Sequence, residues 1–293
     1  MMPKNPPQDV GTVVAAAPSS SALNLVNTSN TTSIEGFRVF DIGQGDCIGL
    51  LDQHKRVFCY VDYGGVLDHP DANNPGNTQS WLTISYVGGN VSFILTHWDW
   101  DHYDSAYSKN TAAQSCEWVA PRQWVGPRGL QFASSLTNAK CWPSSLGTSA
   151  HRISIGSKYA LEIQRCAVFN PNAPKQDRNT SGLAVALIEI TNGTDTAQMI
   201  LAGDCPFHRI QNPSAAPVRN IVAFHHGDGR HFVANTWKAI SNTAAPVGMA
   251  FSFGSSNSFN HPQRGNYQAP WNQRAEETPT MRANNQRSDD FYW

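Results

Sequence analysis

The chain has 293 residues, which suffices for one large domain or for two small ones. Its net charge of -1 excludes a global field that attracts polyanions, so nucleic acid would have to be held by local chemistry. The 6 cysteines form no C-x-x-C pair, and no apolar run approaches the roughly 20 residues of a membrane span. We therefore expect reduced thiols in a cytoplasmic protein that does not cross a membrane.

Composition divides the chain into three parts. Residues 1–34 are rich in Pro, Ser, Asn and Thr without a sustained period, which predicts a flexible N-terminal arm. Residues 35–262 carry the apolar runs and predict one folded domain. Residues 263–293 are polar and contain Pro, so we expect a peripheral C-terminal tail.

Strand-like runs outnumber helical ones in the central part. The segments "EGFRVFDIGQGDCIGLL" and "RVFCYVDYGG" predict a β-hairpin, with Asp62 at its exit. A loop is expected at "VLDHPDANNPGNTQ" and a short helix at "SWLTISYV". Further strands are predicted at "VSFILT", "EWVAPRQWV", "ALEIQRCAVF", "LAVALIEIT", "AQMILAGD", "RNIVAFHH" and "VGMAFSFG". Several of them are apolar on both faces, which is typical of strands covered on both sides.

Four side chains that can bind a metal directly follow the run "VSFILT". In "THWDWDH", His97, Asp99 and Asp101 alternate along an extended segment, and His102 follows where a helix is expected to begin. Imidazole and carboxylate together suit Zn²⁺, Mn²⁺ or Fe, and two such sets suit a two-metal hydrolytic centre. The alternative is a polar surface loop in which His and Asp occur by chance.

Three later strand-like runs also end in polar side chains that can bind a metal or a substrate. Asp204 follows "MILAG", His225 and His226 follow "NIVAF", and Asn257 and His261 lie in "FSFGSSNSFNHP". Polar residues at the ends of several strands indicate a site along one sheet edge. The repetition favours a site over a chance loop.

The order of these motifs resembles the metallo-β-lactamase fold, in particular the branch found as the soluble C-terminal domain of the competence protein ComEC. The resemblance covers about residues 36–262 and is carried by "FDIGQGDC", "YVDYGG", "THWDWDH", "LAGD", "FHHG" and "GSSNSFNHP". It implies an α/β fold, an αββα sandwich of two mixed sheets with outer helices. The transmembrane channel of ComEC has no counterpart, so a role in DNA import is not implied.

Two positions distinguish this chain from the broad superfamily. The superfamily motif H-x-H-x-D-H has an Asp in its second position here, Asp99, as is typical of the ComEC-like branch; the carboxylate shifts metal preference toward manganese. The His that many relatives carry before the bridging Asp has no counterpart, because "NTSGLAVAL" places Asn179 and Ser181 in that region. One of the two metal sites is therefore expected to be weak.

The resemblance implies two divalent ions, Zn or Mn, which activate a hydroxide. The implied ligands are His97 and Asp99 for one ion, Asp101, His102 and His225 for the other, and Asp204 between them. We prefer His225 to His226 because adjacent side chains diverge. Asp101 is also expected to accept a proton.

Asn257 and His261 are implied to contact the substrate phosphate, and His261 to protonate the leaving oxygen. A loop-bracing role before Pro262 is the alternative for His261. Asp46 and Asp62 are expected to orient metal ligands. We expect Trp98 and Trp100 to pack in the core rather than stack on bases.

The resemblance implies a phosphodiesterase or nuclease acting on single-stranded nucleic acid or a small nucleotide. The near-neutral charge favours small substrates over long duplexes. An ester or lactone hydrolase of the same fold is one alternative, and a regulatory protein with a degenerate site is another. The terminal segments are candidate docking sites for a protein partner.

Overall fold

The computed structural model describes residues 6–17, 33–40, 42, 45–65, 91–143, 146–210, 218–222, 224–228, 248–252 and 288–292. The loop and short helix predicted over 66–87 lie outside this part of the chain. No helix of the described residues combines the length and apolar character needed to cross a membrane.

The described elements are mostly strands. In chain order they are β1 (Gln8–Asp9), β2 (Ile34–Phe40), β3 (Cys47–Asp52), β4 (Val57–Tyr63), β5 (Ser92–Ile94), β6 (Glu117–Ala120), β7 (Trp124–Val125), β8 (Asn138–Cys141), β9 (His151–Ile155), β10 (Tyr159–Arg165), β11 (Leu183–Thr191), β12 (Thr194–Leu201), β13 (Asn220–Val222), β14 (Gly248–Ala250) and β15 (Ser288–Tyr292). The helix α1 spans Pro127–Ser135, and short helical turns lie at Val10–Thr12, Trp100–His102, Ser105–Lys109, Thr111–Ser115, Asn179–Ser181, Phe207–Arg209 and Phe224–Gly227.

The strands form two large mixed sheets, as expected for the predicted α/β fold. One sheet has the order β15-β2-β3-β4-β5-β6-β8, antiparallel from β15 to β4 and parallel from β4 to β8. The other has the order β14-β13-β12-β11-β10-β9, parallel at the β14 end and antiparallel elsewhere. The short strands β1 and β7 form a separate pair.

The two sheets pack face to face around a shared apolar core. On β11, alternate residues divide between two clusters: Leu183, Val185 and Leu187 lie between the sheets, while Ala184, Ala186 and Ile188 lie on the outer face. Strands covered on both faces must be apolar at every position, which explains the unbroken apolar runs. The amphipathic helix α1 packs through Phe132 and Ala133 on the outer face of the seven-stranded sheet.

The segment "EGFRVFDIGQGDCIGLL" forms two strands, β2 and β3, where the sequence suggested one. β4 completes an antiparallel meander with them. The predicted hairpin counted one strand before β4, and β3 is the additional strand that completes the meander.

Residues 6–17 pack on the domain, unlike the flexible arm predicted for 1–34. Val10 is fully buried, and Asp9 forms an ion pair with Arg122 at 2.5 Å. Ala16 forms a β-bridge with Cys141, the last residue of β8. At the other end of the chain, β15 lies within the predicted C-terminal tail and pairs with β2. Composition did not predict the packing of residues 6–17 or the pairing of β15, because each involves few residues.

Cys166 and Cys205 form a disulfide bond, with Cα atoms 6.5 Å apart. β10 and β12 flank β11, so the chain just past their ends comes together although 39 positions separate the two cysteines. The remaining thiols are free and buried: Cys47, Cys59, Cys116 and Cys141. The expectation of reduced thiols is wrong for this pair, because no spacing motif marks it. The expectation of a cytoplasmic protein rested partly on reduced thiols, and the disulfide removes that support.

Loss of this disulfide is expected to lower the free energy of unfolding by about 2–4 kcal/mol, because the bond restrains the unfolded chain. Urea unfolding of the wild type and of a Cys166→Ser/Cys205→Ser variant measures the difference. Cys116→Ser, at a free thiol, is the control. Equal unfolding midpoints for the wild type and the double variant would show that the bond does not form in solution.

Candidate metal centre

Asp62 at the end of β4 anchors the segment that follows β5. Its carboxylate accepts hydrogen bonds at 2.6 Å from both the backbone N–H and the hydroxyl of Thr96. The same carboxylate lies 2.8 Å from Nδ1 of His102. Asp62 itself has a left-handed backbone (φ 58°), which is uncommon for a residue with a side chain and typical of functional sites. It therefore holds both ends of the "THWDWDH" segment.

Glycines allow this segment to pack against its neighbours. A Cβ added to Gly45 would lie 2.3 Å from the backbone oxygen of Asp101, and one added to Gly64 would lie 1.8 Å from the same atom. At Gly203, whose φ is +50°, a Cβ would meet the Thr96 hydroxyl at 2.3 Å. The glycines in "GQGD", "YGG" and "LAGD" thus leave room for the metal-capable segment to approach.

Asp204 lies at the centre of four imidazoles. Its Oδ2 is 3.4 Å from Nε2 of His97 and 3.4 Å from Nε2 of His225. Its Oδ1 is 3.4 Å from Nε2 of His102 and 3.7 Å from Nε2 of His226. Each carboxylate oxygen therefore faces its own pair of histidines.

Two further carboxylates complete this arrangement. Asp99 Oδ2 lies 3.5 Å from Nε2 of His97. Asp101 Oδ2 lies 3.4 Å from Nε2 of His226, and its Oδ1 lies 4.0 Å from Nε2 of His102. We define two candidate ligand sets for metal ions: the first ligand set is His97, Asp99 and His225, and the second ligand set is Asp101, His102 and His226, with Asp204 next to both.

The donor atoms fit divalent ions. Nε2 of His97, Nε2 of His102 and Oδ1 of Asp204 are buried and have no hydrogen-bond partner. A buried polar atom without a partner is costly unless a ligand satisfies it. Three groups among the described residues have donor atoms close enough to hold an ion: His97 with His102 and Asp204, Asp101 with His102 and His226, and Asp46 with Asp62 and His102. The described residues therefore include clusters able to bind metal.

The charge of the cluster also favours cations. Burial and the neighbouring His102 lower the pKa of His97, but the Asp204 and Asp99 carboxylates outweigh them and raise it to about 9. Burial likewise lowers the pKa of His226, and contact with Asp101 raises it to about 9. The pKa of Asp204 would rise on burial, yet the surrounding imidazoles hold it well below its usual range. Without a metal, the carboxylates draw protons onto the histidines.

His225 and His226 both reach Asp204, although adjacent side chains were expected to diverge. Both residues have positive φ values, 47° and 54°, and their ring centroids are 5.9 Å apart. Two consecutive left-handed residues turn the backbone so that the rings face different oxygens of one carboxylate. Sequence reasoning left His226 out of the ligand set, and the only signal for it was the His-His pair itself.

His225→Ala and His226→Ala are each expected to lower the affinity for one metal ion about tenfold or more, while the other ion stays bound. The reason is that the two rings belong to different ligand sets. Titration with Co²⁺, followed by its visible absorption, resolves the two sites. His208→Ala, at an exposed histidine, is the control. Loss of both ions in either variant, or of neither, would contradict the division into two sets.

The region without the usual histidine has other contacts. The Ser181 hydroxyl donates to the backbone oxygen of Asp177 at 2.8 Å and accepts from Gln123 at 2.9 Å. Asn179 begins the short turn that ends at Ser181. His225 instead supplies a second imidazole on the His97 side of Asp204. One site was expected to bind its metal weakly because the usual histidine is absent. His225 places an imidazole nitrogen on that side of Asp204, where Ser181 supplies none.

Other predicted residues take supporting positions. Asp46, buried and with a pKa raised by burial to about 6, lies 3.7 Å from Nδ1 of His226. Trp98 is 2% exposed and donates to the backbone oxygen of Pro121, as expected for a packing residue. Trp100 packs edge-on against Tyr103 and Tyr107. Asn257 and His261 lie outside the described residues, so their roles stay predictions.

Asp62→Asn is expected to weaken metal binding about 10–100-fold, the usual effect of removing a residue that orients a ligand. The Thr96 N–H donates to Oδ1 of Asp62, whereas the Thr96 hydroxyl and His102 Nδ1 both lie at Oδ2. An amide has only one acceptor oxygen, so its NH₂ group must face one of these donors and displace the segment that carries His102. Calorimetric titration with Zn²⁺ measures the affinity, and the melting temperature checks that the variant is folded. Unchanged affinity in a folded variant would contradict this role.

No protein-family model and no curated protein matches this sequence. Among solved structures, the chain is similar to the metallo-β-lactamase fold protein YhfI from Bacillus subtilis (10% identity, TM-score 0.48, covering 88% of this chain and 100% of that one). It is also similar to Zn²⁺-bound PqqB from Methylobacterium extorquens (9% identity, TM-score 0.40, covering 83% of this chain and 97% of that one). A third similar structure is CmlA, a diiron β-hydroxylase from Streptomyces venezuelae (10% identity, TM-score 0.44, covering 89% of this chain and 55% of that one). At these identities and TM-scores the similarities do not define the chemistry of this chain.

Proposed function

We propose that this chain is a metal-dependent hydrolase of the metallo-β-lactamase type that cleaves phosphodiesters. The observation that carries the proposal is the Asp204 carboxylate, whose two oxygens face separate pairs of imidazole nitrogens. A carboxylate shared in this way is typical of two-metal hydrolytic centres. Zn²⁺ or Mn²⁺ suits the mixture of imidazole and carboxylate ligands.

The first and second ligand sets would each hold one ion, with Asp204 between them. When bound, the ions supply Lewis-acid chemistry, which lowers the pKa of water to about 7 and polarises a phosphoryl oxygen. The protein orients its ligands for this task. Nδ1 of His226 lies 2.9 Å from the Ser252 carbonyl oxygen, and Nδ1 of His102 lies beside Asp62. A proton on each Nδ1 leaves the Nε2 lone pair for a metal.

Asp101 is the carboxylate that we assign to accept a proton from the attacking water. Its side chain is 20% exposed against 5% for Asp204, so solvent and substrate reach it more easily. His261 is assigned to protonate the leaving oxygen at its imidazole, and Asn257 to bind the phosphate. The assignment of these two rests on the "GSSNSFNHP" motif alone.

The charge around the centre favours a small or single-stranded substrate over a long duplex. Several carboxylates surround the site, and the chain as a whole has a net charge of -1. Arg178 forms an ion pair with Asp99 at 2.5 Å while its side chain stays 36% exposed. A guanidinium at that position can contact a phosphate oxygen next to the ions.

The test compares substrate classes on protein loaded with Zn²⁺ or Mn²⁺. The phosphodiesters are bis-p-nitrophenyl phosphate, single-stranded DNA and a cyclic nucleotide, and the other class is p-nitrophenyl acetate and a simple lactone. We expect phosphodiester turnover that a chelator abolishes. Turnover of esters or lactones alone would instead assign the alternative hydrolase. A protein that binds no divalent ion and turns over neither class would be regulatory.

A further inference from the structure

One cavity is lined by none of the residues of the metal-capable cluster. Its volume is about 240 Å³, the space of roughly eight water molecules in the liquid. It is bounded by Ala16 of the N-terminal segment, by Trp142 after β8, and by Val168 and Phe169 after β10. Most of the lining is apolar, and two guanidinium groups interrupt it, those of Arg122 and Arg165.

Two side chains that line this cavity carry buried hydrogen-bond donors without acceptors. Arg165 is 3% exposed and its Nε has no hydrogen-bond partner, although another nitrogen of the same group donates to the backbone oxygen of Arg122. Trp142 is 1% exposed and its Nε1 has no partner either. Both nitrogens can only donate. A ligand that satisfies them must bring acceptor atoms.

The two arginines differ in how their charge is balanced. Arg122 is neutralised by Asp9, which accepts from its Nε at 3.1 Å and its Nη2 at 2.5 Å. Arg165 forms no ion pair with any carboxylate of the described residues. Burial lowers the pKa of Arg165 only to about 10, so its guanidinium stays charged at neutral pH. A buried positive charge that no carboxylate of the described residues contacts directly favours an anion in this cavity.

The apolar lining of the cavity indicates that the anionic group belongs to a molecule with an apolar body. The Arg122 guanidinium lies 4.8 Å from the centre of the Phe169 ring, and that of Arg165 lies 5.9 Å from it. Val168 at the rim is 58% exposed. We propose that this cavity binds a small organic anion, with a carboxylate or phosphate group accepting from Arg165 and Trp142 and an aromatic or aliphatic body against Phe169. A compound of one or two rings matches the space.

The test is calorimetric titration of the full chain with four probes: benzoate, phenyl phosphate, inorganic phosphate and benzyl alcohol. We expect benzoate, phenyl phosphate or both to bind about tenfold or more tightly than benzyl alcohol and inorganic phosphate, because charge and apolar body are both needed. Benzoate and phenyl phosphate distinguish a carboxylate ligand from a phosphate ligand. Benzyl alcohol binding as tightly as the organic anions, or no binding of either anion, would overturn the proposal.

A pair of variants at the rim locates the binding. Arg165→Gln is the direct change, but it alters a buried residue and can impair folding. Val168→Glu and Val168→Lys change an exposed residue and differ in charge. We expect the Glu variant to weaken binding about tenfold relative to the Lys variant, through repulsion across a few ångströms. Metal content should be the same in both. Equal affinities would mean that the anion binds elsewhere, including at the proposed metal centre, and would overturn the proposal.

Discussion

Asp204→Asn is expected to remove both ions from the proposed centre and to lower turnover about 1,000-fold or more, since Lewis-acid stabilisation amounts to several kcal/mol. The amide has nearly the same shape as the carboxylate but carries no charge and has only one acceptor oxygen. One of the two ligand sets would face an NH₂ group instead of an oxygen. Because Asp204 is shared, a single substitution affects both sets.

Metal analysis after dialysis and hydrolysis of bis-p-nitrophenyl phosphate measure the two effects of Asp204→Asn. Asp195→Asn is the matched control, because Asp195 lies on β12 and forms an ion pair with Arg152 on β9. That variant should keep both ions and full turnover. An Asp204→Asn protein with wild-type metal content would contradict the shared-ligand role.

Gly64→Ala is expected to lower the free energy of unfolding by about 4 kcal/mol or more, a loss of the size that severe overpacking produces. The added Cβ would lie 1.8 Å from the backbone oxygen of Asp101 and 2.8 Å from that of Asp46. Backbone atoms cannot rotate away as a flexible side chain can, so the "THWDWDH" segment must shift. Metal binding should fall together with stability.

The matched control for Gly64→Ala is Gly126→Ala at the beginning of α1. A Cβ there would meet nothing within 4 Å, and the φ of Gly126 is -74°. Chemical unfolding and calorimetric titration with Zn²⁺ compare the two variants. Equal stability of both would show that the close packing of Gly64 on Asp101 is not present in solution.

The centre could be located from the sequence because apolar runs mark where strands end. "VSFILT" contains β5 and "AQMIL" forms the end of β12, and the polar residues that follow them meet at Asp204. His97, Asp99, Asp101, His102 and His225 all gather there, as the motif spacing indicated. Their roles as ligands stay predictions. Side-chain alternation along one segment and parallel strand ends suffice to predict such convergence.

Features that depend on backbone conformation or on distant contacts could not be predicted from the sequence. The position of His226 follows from two consecutive left-handed residues, which no side-chain pattern encodes. The disulfide of Cys166 depends on how β10, β11 and β12 are ordered in the sheet. The N-terminal segment is held by the two-residue pairing of β1 with β7, by the buried Val10, by the Asp9 ion pair and by a one-residue bridge. These contacts are too short to give a signal within a polar composition.

The pairing of β2 with β15 has a consequence for how the chain folds. Phe37 is opposite Phe291 in this ladder, so β2 gains its second neighbour only on the order of 250 residues later, a separation of the kind that slows folding. During synthesis on the ribosome, β2 would present an open edge until the last strand emerges. An open strand edge has unpaired N–H and C=O groups that can pair with a strand of another chain. The period before β15 is added is therefore when nascent chains are most prone to aggregate and when a chaperone would have the greatest effect on yield.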